Sequence, residues 1–112
     1  MLTGDVHTNW AAELKANFAD ENSATVGCEF TATSISSFGD GSDQRPTTPQ
    51  ILSQNPYIKF FNNRRGYLSM DVTAELWQTH YQTVDYISRP GAKLKTRATY
   101  VVEEGEKAMH LA

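Results

Sequence analysis

The stretch 67–87 reads YLSMDVTAELWQTHYQTVDYI, and it indicates the fold more clearly than any other part of the sequence. Residues 67–73 alternate apolar side chains with polar or aromatic ones, which is the two-residue period of a strand with one buried face. Residues 77–87 are rich in β-branched and aromatic side chains, which favour strands. Because only a short link joins the two segments, they are predicted to pair as an antiparallel hairpin.

A second hairpin is predicted upstream of this one. Residues 10–18 alternate apolar and polar side chains, although the spacing of Trp10, Leu14 and Phe18 also fits one face of a helix. We choose the strand because residues 25–34 alternate in the same way after a short polar link. The two segments are therefore predicted to form an antiparallel pair with one buried face.

The remaining segments are shorter or less regular. Residues 34–54 are rich in Ser, Gly, Asp, Thr and Pro and show no sustained period, so they are predicted to form a long loop that is functional or mobile. A helical turn is predicted at residues 49–54, where a proline occupies the first position. Short strands are predicted at residues 57–61 and 96–102, and the polar tail 103–112 is expected to be frayed.

Composition limits the range of functions. The chain has 112 residues, 39% of them hydrophobic, and a net charge of −3 with acidic and basic residues interspersed, so it has no basic patch for nucleic acid. No apolar run is long enough to span a membrane. Cys28 is the only cysteine, which excludes an internal disulfide and a site built from several thiolates. We expect Cys28 to be a small buried side chain.

Gly4-Asp5-Val6-His7 is the motif with the clearest chemical potential. A carboxylate and an imidazole two residues apart, beside a glycine that lets the backbone turn, can converge on one metal ion. A purely structural alternative remains open, in which Asp5 caps a turn and His7 bonds a backbone carbonyl. His80 and His110 lie in a predicted strand and in the tail, and neither is expected to bind metal.

Residues 2–10, LTGDVHTNW, resemble the late metal-ligand motif of the PhoD-type alkaline phosphatases, a branch of the calcineurin-like metallophosphatases. Further stretches resemble the same family in the expected order, and they cover nearly the whole chain: 29–30, 33–37, 55–62, 65–67, 84–86 and 89–92. Cys28 does not match the ligand cysteine of the family. The resemblance implies that the other ligands lie upstream of residue 1.

The resemblance implies an α+β, β-rich fold: the C-terminal part of a two-sheet metallophosphatase α/β sandwich with mainly antiparallel strands. We expect residues 1–112 to be the C-terminal part of a single PhoD-like domain and to supply strands of one sheet. Such a part would expose its inner face, so self-association through that face is predicted. Extracytoplasmic location by twin-arginine export is implied by the family alone, because the chain itself carries no such signal.

The family also implies metal-dependent hydrolysis of a phosphoester substrate, with iron and calcium as cofactors and Asp5 and His7 as metal ligands. No catalytic residue is assigned. Arg45 and Arg65 are candidates for phosphate contact because guanidinium groups match phosphate oxygens, although a solvated loop charge is the competing interpretation. Asn62 is a further candidate for contact with phosphate; the alternative is that it serves the geometry of a turn. The competing hypothesis is of a different class: the chain is an inactive β-rich binding or assembly module that keeps the phosphatase scaffold.

Overall fold

The computed structural model describes residues 1–112 and contains eight strands and one helix. The strands are β1 (Leu2–Thr3), β2 (Asn9–Lys15), β3 (Thr25–Thr31), β4 (Ile58–Asn62), β5 (Arg65–Val72), β6 (Leu76–Val84), β7 (Lys95–Glu103) and β8 (His110–Leu111). The single helix, α1, spans Thr48–Gln54. No helix is long and apolar enough to cross a lipid bilayer.

The strands form two four-stranded sheets with the orders β1-β3-β2-β4 and β5-β6-β7-β8. All neighbours are antiparallel except β1 and β3, which are parallel. The β-rich, mainly antiparallel character predicted from the sequence is confirmed. The expectation that the chain supplies strands of one sheet is wrong, because the chain passes from the first sheet to the second within the two residues between β4 and β5.

The core lies between the two sheets. Ala11, Cys28 and Phe30 of the first sheet form one buried cluster with side chains of the second, among them Tyr81 and Tyr100. The inner faces therefore cover each other over this cluster, whereas Leu68 and Trp77 beside it are only partly buried. Self-association itself stays a prediction.

Both predicted hairpins are present. β5 pairs with β6 from Arg65↔Val84 to Val72↔Trp77, and β2 pairs with β3 from Trp10↔Thr31 to Lys15↔Thr25. The first strand of the upstream hairpin ends at Lys15 rather than at the predicted Phe18, since the chain turns there through polar residues.

The tail is more ordered than expected. We predicted that residues 103–112 are frayed, and this is wrong for their last part: β8 pairs with β7, and Met109 is buried in the core. The Cys28 thiol donates a hydrogen bond to the Lys107 carbonyl at 3.1 Å, so the tail also contacts the first sheet. One buried methionine among polar residues gives no periodic signal, which explains why the sequence did not predict that the end of the tail is ordered.

Candidate metal-binding site

The Gly4–His7 motif forms the tight connection between β1 and β2. Asp5 and His7 both have positive φ, 74° and 59°, in the left-handed region that side chains other than glycine rarely adopt. Asp and His adopt this region more often than most side chains, but two such residues in one short loop are still uncommon. Strain of this kind in two residues of one short loop is typical of sites where side-chain placement serves function.

His7 is held by packing rather than by polar contacts. Its ring lies against Phe38, with 4.7 Å between the ring centroids and a 56° tilt. Its Nδ1 atom is buried and has no hydrogen-bond partner. The hydroxyl of Thr33 donates to the His7 backbone carbonyl at 3.2 Å, which fixes the main chain but not the imidazole. In the structural alternative, Asp5 caps a turn and His7 bonds a backbone carbonyl; the Nδ1 atom of His7 makes no such bond.

The available donors match part of a metal site. Asp5 is exposed and offers carboxylate oxygens, while His7 offers an imidazole whose buried Nδ1 atom is not engaged in a hydrogen bond within the chain. The geometry does not assign which ring nitrogen would bind the metal. No group of three or more His, Cys, Asp or Glu side chains in the chain is placed to hold a metal ion. Because catalytic zinc takes three protein ligands and calcium six to eight oxygens, these two residues fit as a share of a larger site.

The long loop between β3 and α1 carries Phe38 to His7, and Arg65 holds that loop in place. Arg65 is fully buried on β5; its Nη1 atom donates to the Ser34 hydroxyl at 2.9 Å and to the Ser37 carbonyl at 2.5 Å. Its Nη2 atom donates to the backbone and side-chain oxygens of Asn63. Burial, and secondarily the nearby Arg45, lowers the pKa of Arg65.

Two carboxylates anchor the loop beyond Phe38. Asp40 accepts hydrogen bonds from the backbone N–H groups of Ile87 at 2.7 Å and Ser88 at 2.9 Å. The bond from Ile87 is the largest cause that holds the pKa of Asp40 below its ordinary value. Asp43 accepts from Arg64 Nε at 3.1 Å, and this bond is the main reason that the pKa of Asp43 is lowered. The loop that was predicted to be functional or mobile is thus bonded to the second sheet at several points.

Arg45 is the one phosphate candidate that the structure brings to the motif. It lines a cavity of about 440 Å³ together with Gly4, Val6, Thr8 and Trp10. Its guanidinium lies 5.8 Å from the centroid of the Phe61 ring. Neither Asp5 nor His7 lines this cavity, so Arg45 lies beside the Gly4–His7 loop on the side of Gly4 and Val6.

Asn62 and Arg65 do not line this cavity. Asn62 is buried, donates to Asp43 at 3.0 Å and accepts from the backbone N–H of Arg64 at 2.9 Å. The observed contacts of Arg65 are all within the chain. Both side chains are thus committed to holding loops, and phosphate contact by either one stays a prediction.

Sequence reasoning missed Phe38. Its side chain is 79% exposed and its φ is 70°, so neither burial nor backbone preference explains an aromatic residue at this position. The only signal in the sequence is a lone aromatic within a polar loop. Its contact with His7 depends on how the loop folds back, which the sequence pattern does not reveal.

The largest cavity lies elsewhere. It has a volume of about 660 Å³ at the β2–β3 turn and is lined mainly by polar and charged residues, among them Lys15, Asp20 and Lys59. It shares no residue with the Gly4–His7 loop. Its size alone therefore does not make it the better candidate, and the strained motif remains the site of interest.

Comparison with known proteins gives three consistent matches. A family model described as PhoD-like phosphatase matches residues 1–81. Alkaline phosphatase D of Bacillus subtilis (strain 168) is 42% identical over 109 residues, which is 97% of this chain and 19% of that protein. A solved structure of PhoD superposes with a TM-score of 0.93 and 41% identity over 99% of this chain and 21% of that one. The chain spans about a fifth of the length of the relatives it matches.

Proposed function

The chain belongs to the PhoD-like phosphatase family, and from this we propose that it supplies Asp5 and His7 as metal ligands to the site of a phosphoester hydrolase. The observation that carries the proposal is the strained Gly4–His7 loop, in which two ligand-type residues have left-handed backbone and the buried Nδ1 of His7 has no partner. We further propose that residues 1–112 are the C-terminal part of the domain, and that the remaining ligands come from its other part.

The roles of the residues follow from their chemistry. A carboxylate suits calcium or iron, and an imidazole suits iron, so iron and calcium are the proposed cofactors. When bound, such metals polarise phosphoryl oxygens and favour attack at phosphorus. Arg45, beside the same loop, is proposed to contact phosphate oxygens of the substrate. The strained backbone presents Asp5 to solvent and keeps His7 in place without using its Nδ1 atom in an internal hydrogen bond.

A chimera tests this proposal. In it, this chain replaces the matching 109-residue segment of the Bacillus subtilis relative, and hydrolysis of a chromogenic phosphomonoester is measured with added calcium and iron. Asp5→Asn and His7→Ala are each expected to lower kcat by at least the roughly 10–100-fold that loss of an outer partner of a metal ligand typically costs. The matched controls are Asp71→Asn and His80→Ala, because those two side chains form an Asp–His pair away from the motif. Equal activity in all four variants would contradict the assignment.

A second candidate function is an inactive β-rich binding or assembly module that keeps the scaffold. The observation in its favour is that the chain alone gathers no group of three metal-binding side chains. Metal analysis of the chimera described above, purified without chelator, separates the two. Because two ligands are only a share of a site, the metal analysis is made on the chimera: the phosphatase proposal predicts calcium or iron whose amount falls in Asp5→Asn, whereas the binding module predicts no dependence on Asp5.

A further inference from the structure

Neither burial nor backbone preference accounts for a phenylalanine at position 38. The side chain is 79% exposed, and its backbone lies in the left-handed region at φ 70°, which disfavours a residue with a Cβ atom. Its one aromatic contact is with His7, at 4.7 Å between centroids. An exposed aromatic residue on strained backbone thus covers one specific imidazole.

His7 needs such a contact if its ring is to have one orientation. A histidine that binds metal commonly donates its other ring N–H to a carboxylate or a carbonyl, which fixes the ring. The Nδ1 atom of His7 is buried and has no hydrogen-bond partner within the chain. The ring packs against Phe38, and this aromatic contact can restrict the rotation of the imidazole.

Arg65 bonds to the turn that directly precedes Phe38. Its guanidinium donates to the Ser34 hydroxyl and to the Ser37 carbonyl, and Ser37 directly precedes Phe38. The Ser34 hydroxyl also donates to the Ser37 carbonyl at 2.9 Å, so the turn before Phe38 is closed on itself and bound to β5. A fully buried arginine that donates to main-chain and hydroxyl oxygens of this turn makes it rigid.

We propose that Arg65 is a positioning residue for His7: by binding Ser34 and Ser37 it holds Phe38 against the imidazole and fixes the orientation of the ring. Arg65 acts through the loop and does not itself touch metal or substrate. The consequence for metal binding rests on the proposed function, because only a ligand histidine gains from a fixed ring.

NMR spectroscopy of the metal-free chain tests the positioning directly. The ring current of Phe38 displaces the imidazole proton signals of His7, and Phe38→Leu defines the positions of these signals without that ring. Arg65→Lys is expected to move the His7 signals most of the way to the Phe38→Leu positions, and Ser34→Ala part of the way. The His80 signals serve as an internal reference, because a general loss of folding would shift them as well.

Two variants provide matched controls. Ser53→Ala removes a hydroxyl that donates to the Gln50 carbonyl at 2.9 Å, much as Ser34 donates to Ser37. Arg89→Lys alters an arginine that stacks on Tyr86 and keeps its positive charge. Both are expected to leave the His7 signals unchanged.

Unchanged His7 signals in Ser34→Ala and in folded Arg65→Lys would overturn the proposal. If Arg65→Lys does not fold, Ser34→Ala decides alone. Failure of the proposed function has a different signature: the His7 signals respond as expected, while the metal content of the chimera is the same with Asp5→Asn as without it.

Discussion

The Tyr81 hydroxyl donates a hydrogen bond to the Trp10 carbonyl at 2.6 Å and so joins β6 of the second sheet to the start of β2 in the first. Tyr81 is fully buried, and burial raises its pKa, so the hydroxyl remains a donor at physiological pH. Because β2 begins two residues after His7, this bond ties the core directly to the base of the Gly4–His7 loop.

Tyr81→Phe should lower the free energy of unfolding by about 1 kcal/mol, since it removes one buried hydrogen bond and keeps the packing of the ring. Urea unfolding followed by tryptophan fluorescence measures the change. Tyr67→Phe is the matched control, because Tyr67 is 44% exposed and should change stability by less than about 0.5 kcal/mol. Equal effects of the two substitutions would show that the bond between the sheets adds nothing to stability.

Gly39 and Gly41 form a matched pair in the loop after Phe38. Both have positive φ, 70° and 71°, but a Cβ atom at Gly41 would lie 1.9 Å from the Asn63 carbonyl oxygen, whereas one at Gly39 meets nothing within 4 Å. Gly39→Ala should therefore cost about 1–2 kcal/mol from backbone strain alone. Gly41→Ala should cost clearly more, because it also breaks the backbone pairing of Ser42 with Asn63. Thermal melts of the two variants compare them, and a smaller loss for Gly41→Ala would mean that the loop does not contact Asn63 as described.

Asp43 should make stability depend on pH at the acid end. Its pKa in the folded chain is lowered from 3.8, mainly by the hydrogen bond from Arg64. A lowered folded pKa adds stability that is present above 3.8 and is lost as pH falls through the lower value. The urea midpoint should thus fall less on acidification in Asp43→Asn than in the unchanged chain. Asp20→Asn is the control at an exposed turn, and an unaltered acid dependence in Asp43→Asn would contradict the prediction.

Cys28 should resist thiol reagents in the folded chain. It is buried, and burial raises its pKa to about 11, so little reactive thiolate is present near neutral pH. Met109→Ala should speed modification by opening the core beside the thiol, whereas Lys107→Ala should not, because the carbonyl that accepts from Cys28 is retained. Modification rates with a chromogenic disulfide reagent measure this. Equal rates in the two variants would mean that the tail does not protect Cys28.

The sequence was most informative where physical preferences are local. Alternation in residues 67–73 and 10–18 identified both hairpins, because the two-residue period follows directly from strand geometry. The division of the strands between two sheets was not predictable in this way. Alternation marks which face of a strand is buried, but not which sheet covers it, and the crossing between β4 and β5 is only two residues long.

The residues of the candidate site also fall into those that the sequence suggested and those that it did not. Asp5 and His7 were proposed as ligands from two residue types two positions apart and from resemblance to a family. Phe38 and Arg65 were not connected with His7, because that relationship depends on a loop folding back onto a distant strand. Arg65 was named as a phosphate candidate, since a guanidinium group suits phosphate oxygens, and that contact stays a prediction. The structure shows Arg65 fully buried, with Nη1 bonded to Ser34 and Ser37 and Nη2 bonded to Asn63. Burial of a single arginine is not visible in a sequence pattern.

The most direct test of the metal-ligand assignment is an NMR titration of the chain with Mn²⁺, which broadens nearby proton signals even when binding is weak. The imidazole signals of His7 should broaden at lower Mn²⁺ concentration than those of His80, whose Nε2 lies 3.1 Å from the Asp71 carboxylate. Asp5→Asn should remove this preference, because one of the two ligands is lost. Equal broadening of His7 and His80, or a preference for His7 that persists in Asp5→Asn, would contradict the account.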